Sequence, residues 1–244
     1  MKKKNKFAHS RTLKENNLEV ELKNISLKYD NSEILKAPFN FIPRQSVTSM
    51  LTRIDLFRMI ENVNGSIVEC GTHRCNSTFL FYHMSSIIEP YNYNRKIIGF
   101  DTFKGIVKTT NKDNKKGKGK FSDSNYELYK KLISVHDKNR AVSHISKTEL
   151  IKGDATKTIP RYTKQNPQLI IALLYVDFSS YAPTKTALKY LLPLVPKGGI
   201  VCFDKLNCKD WKGESIAFKE ILDLKNIELK KFKYDTWVSY FVKK

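Results

Sequence analysis

Five short apolar runs, each closing on an acidic residue, constrain the folding of this 244-residue chain more than any other feature. They are Ile67-Val68 before Glu69, residues 96–101 (KIIGFD), 150–154 (LIKGD), 169–177 (LIIALLYVD) and 199–204 (GIVCFD). Unbroken Ile, Leu and Val runs of this length predict strands buried on both faces, and so a parallel sheet with helices on each side. In such a sheet the five acids line the carboxyl edge, where open α/β sheets bind ligands.

The first run leads into SIVECGTHRCNST, residues 66–78, which reads as a strand, a tight turn and a helix start. A junction of this kind gathers unsatisfied backbone N–H groups and the positive end of a helix dipole at one point, which suits a polar or anionic ligand. Glu69 followed by Gly71 suggests a nucleoside. The stretch departs from G-x-G-x-x-G, because Cys75 and Asn76 stand where further glycines would be expected, and a buried strand with an ordinary helix cap fits it equally well.

Hydrophobic residues make up 41% of the chain and aromatics 11%, so a full core can form and a globular rather than a disordered protein is expected. The net charge of +20 favours an acidic partner, but lysines are scattered along the whole chain and no aromatic-plus-basic RNA motif occurs. A lysine-rich solvated surface is the simpler account, and nucleic acid is not the expected partner. Cys70, Cys75, Cys202 and Cys208 form no C-x-x-C pair and no zinc spacing, which fits reduced thiols in a cytoplasmic protein. The basic start MKKKNKFAHSR is followed by no apolar segment, and no run is long enough to span a bilayer, so neither an export signal nor a membrane anchor is expected.

Residues 1–38 have no clear period and read as an N-terminal arm; 39–244 read as one domain. Within it, 104–148 is an irregular insertion at the carboxyl edge, placed to act as a substrate lid. Its segment NKDNKKGKGK, 111–120, is expected to bury nothing and to be mobile, while 126–136 predicts an amphipathic helix. A lysine-rich lid suits an anionic substrate; a solvated surface loop is the other reading.

In order along the chain, VECGTHRCNS, IIGFDTFKG, LIKGDATKTIP, LLYVDFSSYAPTKTALKYLLPLVPKGGIVCFD and WKGESIAFKE resemble the motifs of the macrocin O-methyltransferase-like family. These are class I S-adenosylmethionine (SAM)-dependent methyltransferases, several of which methylate sugar hydroxyls. The resemblance implies a Rossmann-like α/β fold: a mostly parallel seven-stranded sheet, helices on both faces, and a C-terminal antiparallel hairpin formed by the tail around Ile227–Phe232 and Trp237–Phe241.

It also implies roles. Glu69, Gly71, Thr72 and Ser77 would meet the methionine part of SAM, Asp101 and Thr102 the ribose, and Gly153, Asp154 and Ala155 the adenine, with Asp177 bordering the cofactor. Asp177 and Asp204 would form the floor of the acceptor site, with Lys205, Asn207 and Trp211 contacting the acceptor. In the family the equivalent strand ends carry D-x-D-x-Y and a D followed by a second acid, which together bind a divalent metal. Here Ser179 and Lys205 replace the second acids, so Mg²⁺ at Asp177 and Asp204 is left open, and Lys205 could supply the positive charge instead. Asp177, Asp204 and a histidine of the 104–148 segment, either His136 or His144, with His144 preferred, are the candidate bases for deprotonating the acceptor. The expected activity is O-methylation of a small hydroxylated acceptor, a sugar or nucleotide-sugar that could be anionic, by a chain that could form homo-oligomers. Methylation of a polyanion, and a non-catalytic SAM-fold binding protein, are the alternatives.

Overall fold

The computed structural model describes residues 13–244. They separate into two compact units that divide at Leu51/Thr52, later than the 38/39 boundary read from the sequence. The first unit contains α1 (Leu13–Ser26), α2 (Asn31–Lys36) and the opening turns of α3 (Arg44–Met59). Asp30 caps α2 by accepting the Ser32 N–H at 2.8 Å, and Tyr29 meets Phe41 edge to face.

The second unit runs from the rest of α3 through β1 (Ser66–Cys70), α4 (Asn76–Ile88), β2 (Ile97–Asp101), α5 (Tyr126–Asp137), β3 (Thr148–Lys152), α6 (Ala155–Gln165) and β4 (Ile171–Val176). It continues with α7 (Tyr181–Tyr190), β5 (Ile200–Phe203), α8 (Lys212–Ile221), β6 (Lys230–Lys231) and β7 (Ser239–Val242). The seven strands form one sheet in the order β3-β2-β1-β4-β5-β7-β6. β1 to β5 are parallel, and β7 joins β5 and β6 antiparallel, so the five apolar runs and the tail hairpin take the places expected of them.

Successive side chains of a strand face opposite ways. Val68, Ile98, Leu174 and Val201 therefore pack with Ile159 of α6, Leu188 of α7 and Phe218 of α8, while Ile67, Ile97, Leu173 and Ile200 pack with Phe57 of α3 and Phe81 of α4. Every residue of β4 is buried, which is why its sequence has no polar alternation. The turn before β7 is anchored by Asp235, which accepts Thr52 Oγ1 at 2.7 Å and the Trp237 N–H at 2.9 Å.

The lysine-rich stretch 111–120 departs from its expectation of burying nothing. Asp113 and Gly117 are buried. Asp113 Oδ2 accepts both the N–H and the hydroxyl of Thr110 at 2.8 Å, and its Oδ1 accepts the Tyr181 N–H at 2.7 Å. It thus caps α7 from a distant part of the chain, where the local cap residue Ser180 makes no side-chain cap bond. Gly213 makes room for it: a Cβ there would lie 2.0 Å from Asp113 Oδ1. Lys112 completes the attachment through Glu220 and the Tyr181 hydroxyl. Among the described residues no helix is long and apolar enough to cross a membrane.

Candidate active site

The strand ends build the site. β4 and β5 are register neighbours through Val176 and Phe203, so the residues that follow, Asp177 and Asp204, emerge side by side at the carboxyl edge. Asp101 ends β2, two strands away. The turns that follow are tight: His73 and Cys75 after β1, Phe103 after β2, Ser179 after β4 and Asn207 after β5 all have positive φ without being glycine. Such conformations cost free energy and persist where surrounding contacts over-determine them. Gly71, at φ 95°, leaves no room for a side chain, since a Cβ would stand 2.3 Å from the Asp177 carbonyl oxygen.

A cavity of about 460 Å³ opens along this edge, within the range of small-molecule sites. Asp101 lies at one part of its wall. Its Oδ2 accepts the His73 N–H at 2.8 Å and its Oδ1 the Phe103 N–H at 2.7 Å, which fixes the carboxylate while each oxygen keeps capacity for another donor. Burial nevertheless raises its pKa above the ordinary value, with those N–H bonds pulling the other way. Gly153, Asp154 and Ala155 line the cavity next to Thr102, and Asp154 accepts the Thr156 N–H at 3.0 Å as the cap of α6. A carboxylate presented beside a helix N-terminus suits the diol and base of a nucleoside, so these residues fit SAM.

Asp177, Ser179 and Lys205 form another part of the wall, where charge is concentrated. The Lys205 ammonium bonds Asp177 Oδ1 and, at 2.9 Å, Asp204 Oδ2. Asp204 Oδ1 accepts the Tyr175 hydroxyl at 2.9 Å and Arg53 at 3.4 Å. Burial and the neighbouring Asp204 charge push Asp177 up to about 7, against the pull of Lys205 and Arg53. For Asp204 burial acts in the same direction, but Lys205 and Arg53 outweigh it and hold the carboxyl below its usual range. One acid is thus poised near neutrality and its neighbour stays ionised, a division that separates proton transfer from charge stabilisation.

Glu214, fully buried on α8, joins the two turns: its Oε1 accepts the Lys205 N–H at 2.9 Å and its Oε2 the Ser179 N–H at 3.3 Å. Burial raises it to about 8, with Lys205 opposing.

The cavity therefore gathers Gly71, Asp101, Thr102, Gly153, Asp154, Ala155, Asp177 and Lys205 from the residues singled out in the sequence. It does not gather the others: Asp204 stands behind the wall, bonded to Lys205 and Tyr175. Glu69 is buried within β1 and accepts the Thr78 hydroxyl, and Ser77 accepts Arg53 Nε at 3.1 Å. Thr72 is buried behind the turn. Asn207 donates its N–H to Ser215 Oγ at 2.8 Å, and Trp211 is buried against Phe121 and Gly117. His144 is exposed and precedes β3, so it lies at the amino edge, about 16 Å of strand away from the carboxyl edge, and cannot serve as the base.

Two contributors escaped sequence reasoning, Phe121 and Glu214; Arg53 ends the stretch Ser46 to Arg53, which the family resemblance puts over the cofactor, and its guanidinium bonds Asp204. Phe121 brings a ring from the 104–148 segment to the cavity, 5.5 Å from the Lys205 ammonium and edge-on to His73; Glu214 acts on Lys205 and Arg53 on both acids. The WKGESIAFKE motif contained Glu214, but nothing in its local pattern distinguishes it from an ordinary acid in a helix's first turn.

The pair Asp177 and Asp204 does not fit a Mg²⁺ site as it stands. The Lys205 ammonium bridges the two carboxylates and brings no lone pair, and among the described residues no group of three or more His, Cys, Asp or Glu is placed to hold a metal ion.

The strand order and the nucleoside-fitting carboxyl edge define a class I SAM-dependent methyltransferase. The chain belongs to the Macrocin-O-methyltransferase (TylF) family, whose profile matches residues 17–243. The structure is similar to that of CalS11, described as a calicheamicin methyltransferase, with a TM-score of 0.90 and 29% identity over 96% of this chain and 94% of that one. The apo form of CalS11, described as a TDP-rhamnose 3'-O-methyltransferase, aligns with a TM-score of 0.85 and 29% identity over 97% of each chain. The O-methyltransferase NovP shares the fold at a TM-score of 0.64 and 19% identity, over 81% of this chain and 80% of that one. No curated protein matches the sequence.

Proposed function

We propose that this enzyme transfers a methyl group from SAM to a hydroxyl of a sugar, with a nucleoside-diphosphate sugar as the preferred acceptor class. The observation that carries the reading is one cavity with Asp101 on one part of its wall and Asp177 and Lys205 on another, the Lys205 ammonium being held from behind by Asp204. The likeness to CalS11, whose description names a nucleotide-sugar substrate, supports the acceptor class. So do Lys108 and Lys157 in the cavity wall, away from the carboxylates that pair with Lys205, which favour an acceptor that carries negative charge.

SAM, when bound, supplies a methyl group on a sulfonium that leaves as a neutral thioether. Asp101 accepts the ribose hydroxyls, and the α6 N-terminus with Gly153 to Ala155 receives the adenine. Asp177, ionised above about 7, takes the proton of the acceptor hydroxyl as its oxygen attacks. Asp204 remains ionised and holds the Lys205 ammonium at the cavity, where it steadies the developing negative charge on that oxygen. Phe121 and residues 105–110 wall the acceptor space.

The test is titration calorimetry with S-adenosylhomocysteine, followed by an acceptor screen across sugars and nucleotide-sugars. Asp101→Ala removes two charge-assisted bonds to the ribose, each worth about 1.5–3 kcal/mol, and is expected to weaken binding at least a hundredfold. Wild-type protein without affinity for S-adenosylhomocysteine would refute the proposal. Methylation of RNA with steep loss of binding in salt would move the acceptor to a polyanion.

A further inference from the structure

The two positions where the family pattern places second acids carry Ser179 and Lys205, and the cluster they create has its own charge logic. Asp177 and Asp204 are fixed side by side by the β4–β5 register, and the Lys205 ammonium stands between them, bonded to Asp177 Oδ1 and, at 2.9 Å, to Asp204 Oδ2. The lysine is held there by its own backbone, whose N–H donates to Glu214 Oε1 at 2.9 Å, and its side chain is only 12% exposed. Arg53 lies against Asp204 at 3.4 Å, so two cations already balance the two carboxylates. Ser179 Oγ lies 3.5 Å from Asp177 Oδ1 and adds no charge. A divalent ion entering here would have to displace the ammonium from both carboxylates and would meet a buried positive charge on the same turn.

We propose that Lys205 is a built-in cation: its ammonium takes, between Asp177 and Asp204, the position a divalent ion would take, and this enzyme binds its ligands and turns over without a metal. The part of this that concerns turnover rests on the methyltransferase reading of the same site; the part that concerns cation binding does not. It assigns to one side chain the two tasks of a metal at such a site, electrostatic anchoring of the acceptor oxygen and stabilisation of the alkoxide. The ammonium does so as a hydrogen-bond donor, so the acceptor is oriented by directed N–H bonds rather than by chelation of two oxygens.

The experiment measures Mn²⁺ binding to the full-length protein, from the electron paramagnetic resonance signal of the free ion, in the presence of S-adenosylhomocysteine. It compares wild type with Asp177→Asn and with the double variant Ser179→Asp/Lys205→Asp, which restores acids at both positions. Wild type is expected to leave the Mn²⁺ signal unchanged at millimolar ion, and its affinity for S-adenosylhomocysteine is expected to be the same with and without chelator. The double variant is expected to gain Mn²⁺ affinity of at least about tenfold. Lys205→Met, which keeps most of the unbranched side chain and drops its charge, provides a second folded background if the double variant is unstable, and is expected to bind Mn²⁺ more tightly than wild type. Stoichiometric binding by wild type that Asp177→Asn abolishes would overturn the proposal, as would folded Lys205 variants with no gain over wild type. Absence of S-adenosylhomocysteine binding by wild type would strike the methyltransferase reading alone, since the Mn²⁺ comparison is read independently of it.

Discussion

Glu69 provides a test that needs no acceptor. It is 2% exposed inside β1, accepts the Thr78 hydroxyl, and is raised from 4.5 to about 8 by burial, against the pull of that hydrogen bond and of Arg53. An acid whose folded pKa lies above its unfolded one stabilises the fold fully below pH 4.5 and loses that contribution as pH rises to about 8. The loss is about 1.4 kcal/mol per pH unit, so at pH 7 it has reached about 3 kcal/mol. Glu69→Gln copies the protonated form and keeps an acceptor for Thr78, but takes up no proton on folding. The variant is therefore expected to match wild type near pH 4.5 and to exceed it by about 3 kcal/mol at pH 7, a rise in melting temperature of roughly 5–10 °C. Thermal melts at half-unit intervals from pH 5 to 8 read this directly. A melting difference that stays constant across that range, or a variant less stable than wild type at pH 7, would refute the reasoning. Because Glu69 does not line the cavity, affinity for S-adenosylhomocysteine is expected to change by less than about threefold; a larger loss would restore the sequence-based assignment of Glu69 to the cofactor.

Asp177→Asn, once an acceptor is in hand, is expected to lower turnover by about 10²–10⁴-fold. Wild-type turnover should rise with pH through about 7, as Asp177 loses its proton, and this rise should vanish in the variant. Gly71→Ala places a Cβ 2.3 Å from the Asp177 carbonyl at φ 95°, and is expected to destabilise the fold by at least about 2 kcal/mol, seen as a lowered melting temperature.

The core sheet was legible because its strands are buried on both faces. A run such as 169–177 leaves no polar alternation to confuse the reading, and once the strands are parallel the chain direction alone places Asp101, Asp177 and Asp204 at one edge. The same logic, applied strictly, would have excluded His144, which precedes its strand and so falls at the opposite edge. What the sequence could not convey are contacts between distant segments. Asp113 and Tyr181 are 68 positions apart, and Ser179 and Glu214 are 35 apart; neither pair has a local pattern. Gly117 and Gly213 resemble loop glycines in sequence, yet they serve as spaces for Trp211 and Asp113. Lys205 was visible as a departure from a family pattern, but its orientation into the site depends on the Glu214 bond to its backbone, which no motif spells out.

Asp113 carries a consequence for how mutations in this region combine. By taking the Tyr181 N–H while Gly213 leaves no space for a Cβ against its carboxylate, it makes the 104–123 segment, α7 and α8 one mechanical unit, so that substitutions at Asp113, Tyr181 and Gly213 are expected to be strongly non-additive.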